Sequence, residues 1–181
     1  SRAALAFSVL WRAATGSTSG IDGAYRDLMK GSPTFGGLAR SRIKHLPGIE
    51  AFKGHLRATL ADKVGDQDRW RVLASNQPLY KHRSVARMLL LAAYHDAVAD
   101  SETLGLIVKG KEGCNPRLTP EGLRRAATIE HIAPKSPDSR GGWPTEIYDI
   151  PITVDSIGNL VLLPQETNSM LGNRSWVNKA A

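Results

Sequence analysis

Apolar positions recur with the period of an α-helix along most of the first half of the chain. In the first such segment Leu5, Val9 and Ala13 fall on one helix face, and Gly16 follows as a stop signal. The last segment is the longest and is apolar almost all round in its middle, so we expect a buried central helix with Ser84 as its N-cap. The pattern predicts helices over residues 3–14, 24–29, 49–63, 66–75 and 84–100.

Shorter apolar runs between turn-forming residues follow in the second half of the chain and predict strands. Thr119 and Pro120 suit the N-cap and first turn of a helix that leads into the second of these runs. The third run is followed by a short helical segment, E-T-N-S-M-L. The predicted strands occupy residues 103–110, 129–132 and 159–163.

These elements predict a mainly α fold with a small α+β module near the C-terminal end. We expect a helical body over residues 1–127 that carries the module over residues 128–181. The composition, 41% hydrophobic and 23% charged, is that of a globular chain that can bury a core.

The charge of the chain changes this picture, because it favours a polyanionic partner. The formal net charge is +7 and the isoelectric point is about 9.8, and the basic residues are clustered along the chain, with only Glu50 opposing the first group. We expect the helical body to contact double-stranded DNA, with Arg83 and Arg87 among the contacts. The two groups comprise Arg40, Arg42, Lys44, His45, Lys53, His55 and Arg57, and Arg69, Arg71, Lys81, His82, Arg83 and Arg87.

The sequence argues against several other kinds of site and location. It has no apolar run of about eighteen residues and no signal-peptide pattern, so we expect a soluble cytoplasmic protein without a membrane partner. Cys114 is the single cysteine and cannot form an internal disulfide or a paired-cysteine zinc site. The glycine-rich loop after the first helix lacks the lysine of a phosphate-binding loop, and the H-E-x-x-H motif of zinc peptidases is absent.

Polar residues that a core does not need lie in the two C-terminal strands and the helix after them. Glu130 and His131 are adjacent, so on a regular strand they point to opposite faces, unless the strand ends there and bends. Pro134 supplies such an end. A strand, loop, strand and helix would bring Glu130, His131 and Asn168 to one place, where carboxylate and amide oxygens flank an imidazole. This set suits a hard divalent cation.

The motifs E-H-I-x-P, I-G-N-L-x-L-L and N-S-x-x-G-N, which begin at Glu130, Ile157 and Asn168, carry a family resemblance. They resemble the HNH (ββα-metal) endonucleases and, more narrowly, the C-terminal nuclease domain of GmrSD-type modification-dependent restriction enzymes. Phage-defence nickases linked to phosphorothioate-modified DNA are one group within that resemblance. It implies a ββα-metal motif carried by the helical body, in a prokaryotic cell, with a nucleotide-hydrolysing domain N-terminal to it in the same full-length protein.

The resemblance also implies roles for individual residues. His131 would be the general base, and Glu130, where many HNH enzymes have aspartate, would hold one Mg²⁺ or Mn²⁺ together with Asn168. Asn159 would be the middle asparagine, which holds the loop and the backbone of His131 in place. Asn173 would support the site or contact phosphate. The basic residues close to these motifs are Lys135, Arg174 and Lys179.

These expectations give a leading function hypothesis and two rivals. The first is a metal-dependent HNH endonuclease that nicks or cleaves DNA as the effector domain of a restriction or phage-defence system. The second is a DNA-binding module with an HNH-like fold that does not cleave. The third is an interaction domain that contacts a partner protein, in which the positive charge serves solubility alone.

Overall fold

The computed structural model describes residues 2–30, 48–103, 106–119, 128–136, 142–172 and 175. The protein is mainly helical, with two small antiparallel sheets. It forms two compact units, residues 1–77 and residues 78–181. The boundary differs from the sequence division at residue 127, because the described residues from 78 to 119 fold with the C-terminal module.

The first unit is helical throughout its described secondary structure. Its helices are α1 (Arg2–Thr15), α2 (Ile21–Lys30), α3 (Ile49–Val64) and α4 (Gln67–Ser75). Asp66 caps α4, because its side chain accepts a hydrogen bond from the Arg69 amide at 2.9 Å.

The core of the first unit is a cluster of aromatic and aliphatic side chains contributed by α1, α2 and α3, with Phe7, Trp11 and Leu56 almost fully buried. Trp11 also donates from Nε1 to the carbonyl of Ser19 at 3.1 Å, so its polar group is satisfied. Gly20 has φ of +94°, and a Cβ there would lie 2.8 Å from the Trp11 ring. The turn before α2 therefore requires glycine.

The second unit alternates short helices and strands. A 3₁₀ turn (Leu79–His82) leads into α5 (Arg83–Tyr94), and β1 (Ala97–Ala99) pairs with β2 (Ile107–Lys109). The remaining elements are β3 (Thr128–His131), α6 (Glu146–Asp149), α7 (Pro151–Val154), a second 3₁₀ turn (Ile157–Asn159), β4 (Leu160–Leu163) and α8 (Gln165–Leu171).

Strands β3 and β4 are antiparallel and in register from Thr128 opposite Leu163 to His131 opposite Leu160. Helix α5 packs on both strands, and α8 packs on β3. The buried residues of the unit belong mainly to these elements, including Val85 and Leu90. Burying a side chain of this kind stabilises a fold by about 1.5–3 kcal/mol, so this packing fixes the pair of strands on which the site is built.

Most of the predicted elements are present, but the prediction of a helix over residues 84–100 is wrong beyond Tyr94. The chain turns at His95 and Asp96, and Asp96 adopts the left-handed conformation with φ of +56°. Residues 97–99 then form β1. Ser84 is also not the N-cap, because the preceding 3₁₀ turn continues directly into α5 and places Ser84 inside the helix.

The predicted strand over 103–110 is confirmed at residues 107–109, and both C-terminal strands and the helix after them are confirmed. Pro120 and the rest of the helix predicted after Thr119 lie outside the described residues. The members of the first basic group between positions 40 and 45 also lie outside the described residues. Within the described ranges, no helix has the length and apolar character needed to cross a bilayer.

Candidate active site

Strand β3 directs its side chains alternately to two faces of the small sheet. Ile129 and His131 are buried on one face, whereas Thr128 and Glu130 are half-buried on the other. His131 is the last residue of the strand. Glu130 and His131 therefore leave the backbone in opposite directions at the point where β3 ends.

His131 forms a buried pair with Asp155, which lies just after α7. Its Nε2 atom is 3.0 Å from Oδ1 of Asp155, and both residues are more than nine-tenths buried. Lys135 reaches the same carboxylate, with Nζ 2.9 Å from Oδ1. The Lys135 side chain is half-exposed. The pair therefore lies beneath a lysine whose ammonium group meets solvent.

The environment of Asp155 favours the ionised carboxylate. Burial acts in the opposite direction and by itself would raise the pKa of Asp155, but hydrogen bonds from Lys135 and His131, together with their charges, outweigh burial and hold the pKa of Asp155 below its ordinary value. A carboxylate that stays ionised can accept hydrogen bonds from both partners.

Tyr80 covers the imidazole from the first 3₁₀ turn of the unit. The ring centroids of Tyr80 and His131 are 4.2 Å apart, and the Tyr80 amide donates to the carbonyl of Asp155 at 3.0 Å. Two cations contact the same tyrosine ring: Lys135 Nζ lies 4.7 Å and Arg83 Cζ 4.8 Å from its centroid. Arg83 also donates to the Tyr80 hydroxyl at 2.8 Å. Positive charge therefore collects beside His131.

Asn159 fastens the loop that follows His131. Its Oδ1 accepts from the Ala133 amide at 2.7 Å, and its Nδ2 donates to the carbonyls of Ala133 at 2.9 Å and Val154 at 2.8 Å. The backbone carbonyl of Asn159 accepts from the Ile132 amide at 2.9 Å. Three of these bonds tie the loop after β3 to Asn159, and the bond to Val154 fixes Asn159 within the segment that precedes β4.

Asn168 lies on α8 against the other face of β3. Its Nδ2 donates to Thr128 Oγ1 at 3.1 Å, and Thr128 Oγ1 in turn donates to the carbonyl of Leu163 at 3.0 Å. Because the amide nitrogen is committed to Thr128, the oxygen Oδ1 is the atom of Asn168 that can serve as a ligand. Glu130 leaves β3 from this same face.

The donor set on this face fits a hard divalent cation. The Glu130 carboxylate and the Asn168 amide oxygen are ligands that Mg²⁺ and Mn²⁺ accept, with water completing the coordination. Within the part of the chain that the structure describes, no three carboxylate, imidazole or thiol groups converge to hold a metal ion by themselves. A metal here would therefore depend on the amide and on water.

The structure places the predicted site residues in two groups. His131 and Lys135 surround Asp155, whereas Glu130 and Asn168 belong to the opposite face of β3. Arg83 lies beside Tyr80 at the start of α5, and Arg87 is half-buried one turn further along that helix. Asn173, Arg174 and Lys179 lie outside the described residues.

Two residues of this region are not predicted from the sequence: Asp155 and Tyr80. Asp155 is the single acid in the stretch P-I-T-V-D-S-I, directly before the I-G-N-L motif. Tyr80 precedes the run K-H-R and is an aromatic residue among basic ones. Such interleaving is a signal for a nucleic-acid contact, and it points to Tyr80, whereas an isolated aspartate before a turn carries no comparable signal.

Comparison with known proteins assigns the class and then the family. The family model described as GmrSD restriction endonucleases, C-terminal domain, matches residues 65–181, which is more than half of the chain and includes Tyr80, His131, Asp155, Asn159 and Asn168. The match places the chain among restriction endonucleases. The chain belongs to the C-terminal domain family of the GmrSD enzymes. No match to a curated protein was found.

Proposed function

We propose that this domain is a metal-dependent HNH-type endonuclease that hydrolyses phosphodiester bonds of DNA by nicking or cleaving it. The observation that carries the proposal is the hydrogen bond from Asn168 to Thr128, which holds the Asn168 side chain against the face of β3 that also bears Glu130. Two oxygen donors suited to a divalent cation thereby share one face of the strand that ends in His131.

In the proposed mechanism Glu130 and Asn168 would hold one Mg²⁺ or Mn²⁺. When bound, such an ion supplies positive charge that polarises the scissile phosphate and stabilises the leaving oxygen. Thr128 contributes by accepting a hydrogen bond from Nδ2 of Asn168, which leaves the amide oxygen as the atom that would bind the ion.

His131 acts as the general base at the end of β3. It accepts a proton from a water molecule while the water oxygen bonds to phosphorus and the bond from phosphorus to the leaving oxygen breaks. Proton transfer of this kind contributes about 10²- to 10⁴-fold to rate. Asn159 supports the step by fixing the backbone that follows His131.

The cations beside Tyr80 supply contacts for the DNA backbone. Lys135 and Arg83 both contact the Tyr80 ring, which packs on the imidazole of His131. Contacts to phosphate fix the position of a duplex without reading its sequence. Arg174 and Lys179 are proposed to extend the same contacts.

The proposed setting is the cytoplasm of a prokaryotic cell, where the domain serves as the effector of a restriction or phage-defence system. A nucleotide-hydrolysing domain in the same full-length protein is the proposed partner that controls it. Membership of the restriction endonuclease family supports this setting.

A plasmid-nicking assay tests the proposal. The parent chain is incubated with supercoiled DNA and Mg²⁺, Mn²⁺ or a chelator, alongside His131→Ala and Asn168→Ala. We expect metal-dependent loss of supercoiled plasmid for the parent and a loss of about 10²-fold or more for His131→Ala, because the general base is removed. Asn76→Ala is the matched control, since Asn76 is an exposed asparagine at the end of α4.

The rival function gives the opposite results in the same assay. A DNA-binding module that does not cleave would shift the plasmid in a salt-dependent manner, without a metal requirement and without sensitivity to Asn168→Ala beyond stability. Cleavage by His131→Ala at the parental rate would also contradict the proposed base.

A further inference from the structure

We propose that the groove between α1 and α3 of the first unit is a docking site for an amphipathic helix of a partner protein, one that carries acidic residues beside its apolar face. The groove has a volume of about 380 Å³. All of its lining residues precede position 65, where the family match begins. The inference therefore goes beyond the proposed nuclease function and does not rest on it.

The inner surface of the groove is apolar. Its floor is formed by Phe7 and Leu56, which are almost fully buried. On the α1 side, Ala6 is exposed and its small side chain leaves room above that floor. Leu10 and Leu60, both half-buried, complete the apolar lining. Because transfer of apolar surface from water is favourable, this lining suits the apolar face of a partner.

The rim of the groove is positively charged. Arg2 lies on the α1 side, and Lys53 and Arg57 lie on the α3 side. Both arginines are exposed, and within the described ranges neither makes a hydrogen bond or an ion pair. Lys53 pairs with Glu50, with 2.7 Å between Nζ and Oε1, but none of the described residues that line the groove is acidic. The rim therefore calls for a partner with negative charge.

The length of the groove fits about two turns of a helix. Its lining residues extend from Arg2 to Leu10 on α1 and from Lys53 to Leu60 on α3. At 1.5 Å per residue these walls are about 12 Å and about 10 Å long. A helix that docks through residues i, i+3, i+4 and i+7 presents an apolar stripe of about 10 Å. Acidic residues on either side of that stripe would face walls that both carry arginine.

Duplex DNA is the competing occupant, because Lys53 and Arg57 belong to the first basic group of the sequence. Contacts to the DNA backbone are made by cations and by polar donors, and the apolar floor supplies neither. An apolar centre with a polar rim is the arrangement found at protein interfaces. The floor therefore favours a protein partner over DNA.

The sequence between α2 and α3 does not supply the missing negative charge. Residues 31–47 include Arg40, Arg42 and Lys44 and contain no acidic residue. Like charges placed against the arginines of the rim would repel them. The charge complement of the groove therefore has to come from a partner.

The first arm of the test is selection from a display library of helical peptides on the parent chain. Each peptide has leucine at i, i+3, i+4 and i+7, and the flanking positions vary among glutamate, glutamine and lysine. We expect enrichment of glutamate, and we expect the Kd of a selected peptide to rise about tenfold in Arg57→Glu, because the reversed charge repels the peptide. Arg26→Glu is the matched control and should bind as the parent does, since Arg26 is an exposed arginine on α2 that does not line the groove.

The second arm fills the groove without touching the core. Ala6→Trp places a large side chain at an exposed position of the lining and should weaken binding of the selected peptide about tenfold or more, because it creates a clash with the docked helix. Ala58→Trp makes the same change at an exposed position of α3 outside the lining and should leave the Kd unchanged. Far-UV circular dichroism checks that both variants keep their helices.

Several outcomes would overturn the docking site: enrichment of lysine or glutamine, no enriched peptide, or equal binding by the parent and Ala6→Trp. Fluorescence anisotropy with duplex DNA gives the remaining one. If Arg2→Glu and Arg57→Glu weaken DNA binding and leave peptide binding unchanged, the rim serves DNA instead. The nicking assay stands apart from these measurements, since a parent that cuts no DNA contradicts the proposed function and leaves the peptide result as it is.

Discussion

The second unit contains two regions built from the same kinds of residue, and they use them differently. The ribbon region comprises β1, β2 and the loop over residues 110–118; the site region comprises β3, β4, the loop over residues 132–136 and the segment over residues 155–159. Each has a buried aspartate, an asparagine that fastens a loop and a histidine at the end of an element.

In the ribbon region, backbone amides donate hydrogen bonds to the acceptor atoms of His95 and Asp96. The amides of Arg117 and Leu118 both donate to Nδ1 of His95, at 2.9 Å and 3.3 Å. The Asp96 carboxylate accepts from backbone amides, including that of Asn115 at 3.3 Å. The lone pair of His95 and the charge of Asp96 are thus used to hold the loop.

In the site region, other side chains are hydrogen-bond partners of the histidine and the aspartate side chains. Nε2 of His131 is bonded to a carboxylate, and the carboxylate is bonded to His131 and Lys135. The carboxylate therefore joins His131 to a lysine whose side chain is half-exposed. The same residue types therefore hold a loop where backbone amides are their partners, and form a connected set of ionisable side chains where a carboxylate and a lysine are their partners.

We expect the largest effect on stability from replacing the asparagine that fastens the loop in each region, Asn159 or Asn115. Asn159→Ala removes three side-chain hydrogen bonds, and Asn115→Ala removes the two that its Nδ2 donates to the carbonyls of Tyr94 and Ala97. At about 1 kcal/mol each, we expect losses of about 3 and about 2 kcal/mol in urea unfolding followed by NMR signals of the second unit. Nicking by the folded fraction should fall only for Asn159→Ala; equal loss in both variants would erase the distinction between the regions.

Acid should weaken both regions, but through different partners. The amide of Gly113 is the main cause that holds the pKa of Asp96 low, whereas for Asp155 burial opposes ionisation and the hydrogen bonds from Lys135 and His131 overcome it. Each pKa is lowered from the ordinary 3.8, so the unfolded chain binds more protons just below that pH. Stability from both groups is present above pH 3.8 and is lost as pH falls through the folded-state values.

Lys135→Met makes this acid prediction specific to the site region. It should move the pKa of Asp155 toward its ordinary value and reduce the proton uptake on unfolding that Asp155 contributes, leaving the contribution of Asp96 unchanged. Urea unfolding of the parent and the variant from about pH 5 to about pH 2 measures the difference. Identical pH dependence in the two proteins would mean that Lys135 does not hold Asp155 in its ionised form.

The smallest expected effect concerns DNA affinity and compares two lysines. Lys135 lies beside the site, whereas Lys109 donates to the carbonyl of His95 in the ribbon region. An exposed charge contact contributes about 1 kcal/mol or less, so we expect Lys135→Ala to weaken duplex binding by up to about fivefold and to reduce the salt dependence by about one phosphate contact. Fluorescence anisotropy over a salt series measures both, and Lys109→Ala should match the parent. An effect confined to Lys109→Ala would assign DNA contact to the ribbon instead.

Local patterns in the sequence predict the helices and strands that are determined by residues close together in the chain. The period of apolar residues gives α1 and α3, and the E-H-I-x-P and I-G-N-L-x-L-L motifs fall on β3 and β4. The end of α5 at Tyr94 is not predictable in this way. It is set by Asp96, whose amide and carbonyl bond to Asn115 and Gly110 in a loop further along the chain.

The same limit applies to the site. Asn159 and Asn168 stand out because they belong to motifs, but Asp155 reaches His131 across 24 positions of sequence and precedes a turn in which aspartate is ordinary. Tyr80 is even further from His131 along the chain. Contacts of this kind depend on packing between elements. A single sequence gives the residues but does not show which of them packing brings into contact.

Because the loop after β3 is held by residues that come later in the chain, the site can assemble only late in synthesis. Glu130 and His131 leave the ribosome well before Asp155, Asn159 and Asn168, the residues whose contacts assemble the site around them. Because folding units complete only when their last elements emerge, a nascent chain that stops before β4 carries the proposed base without the groups that orient it. We therefore expect a chain truncated before β4 to lack the assembled site.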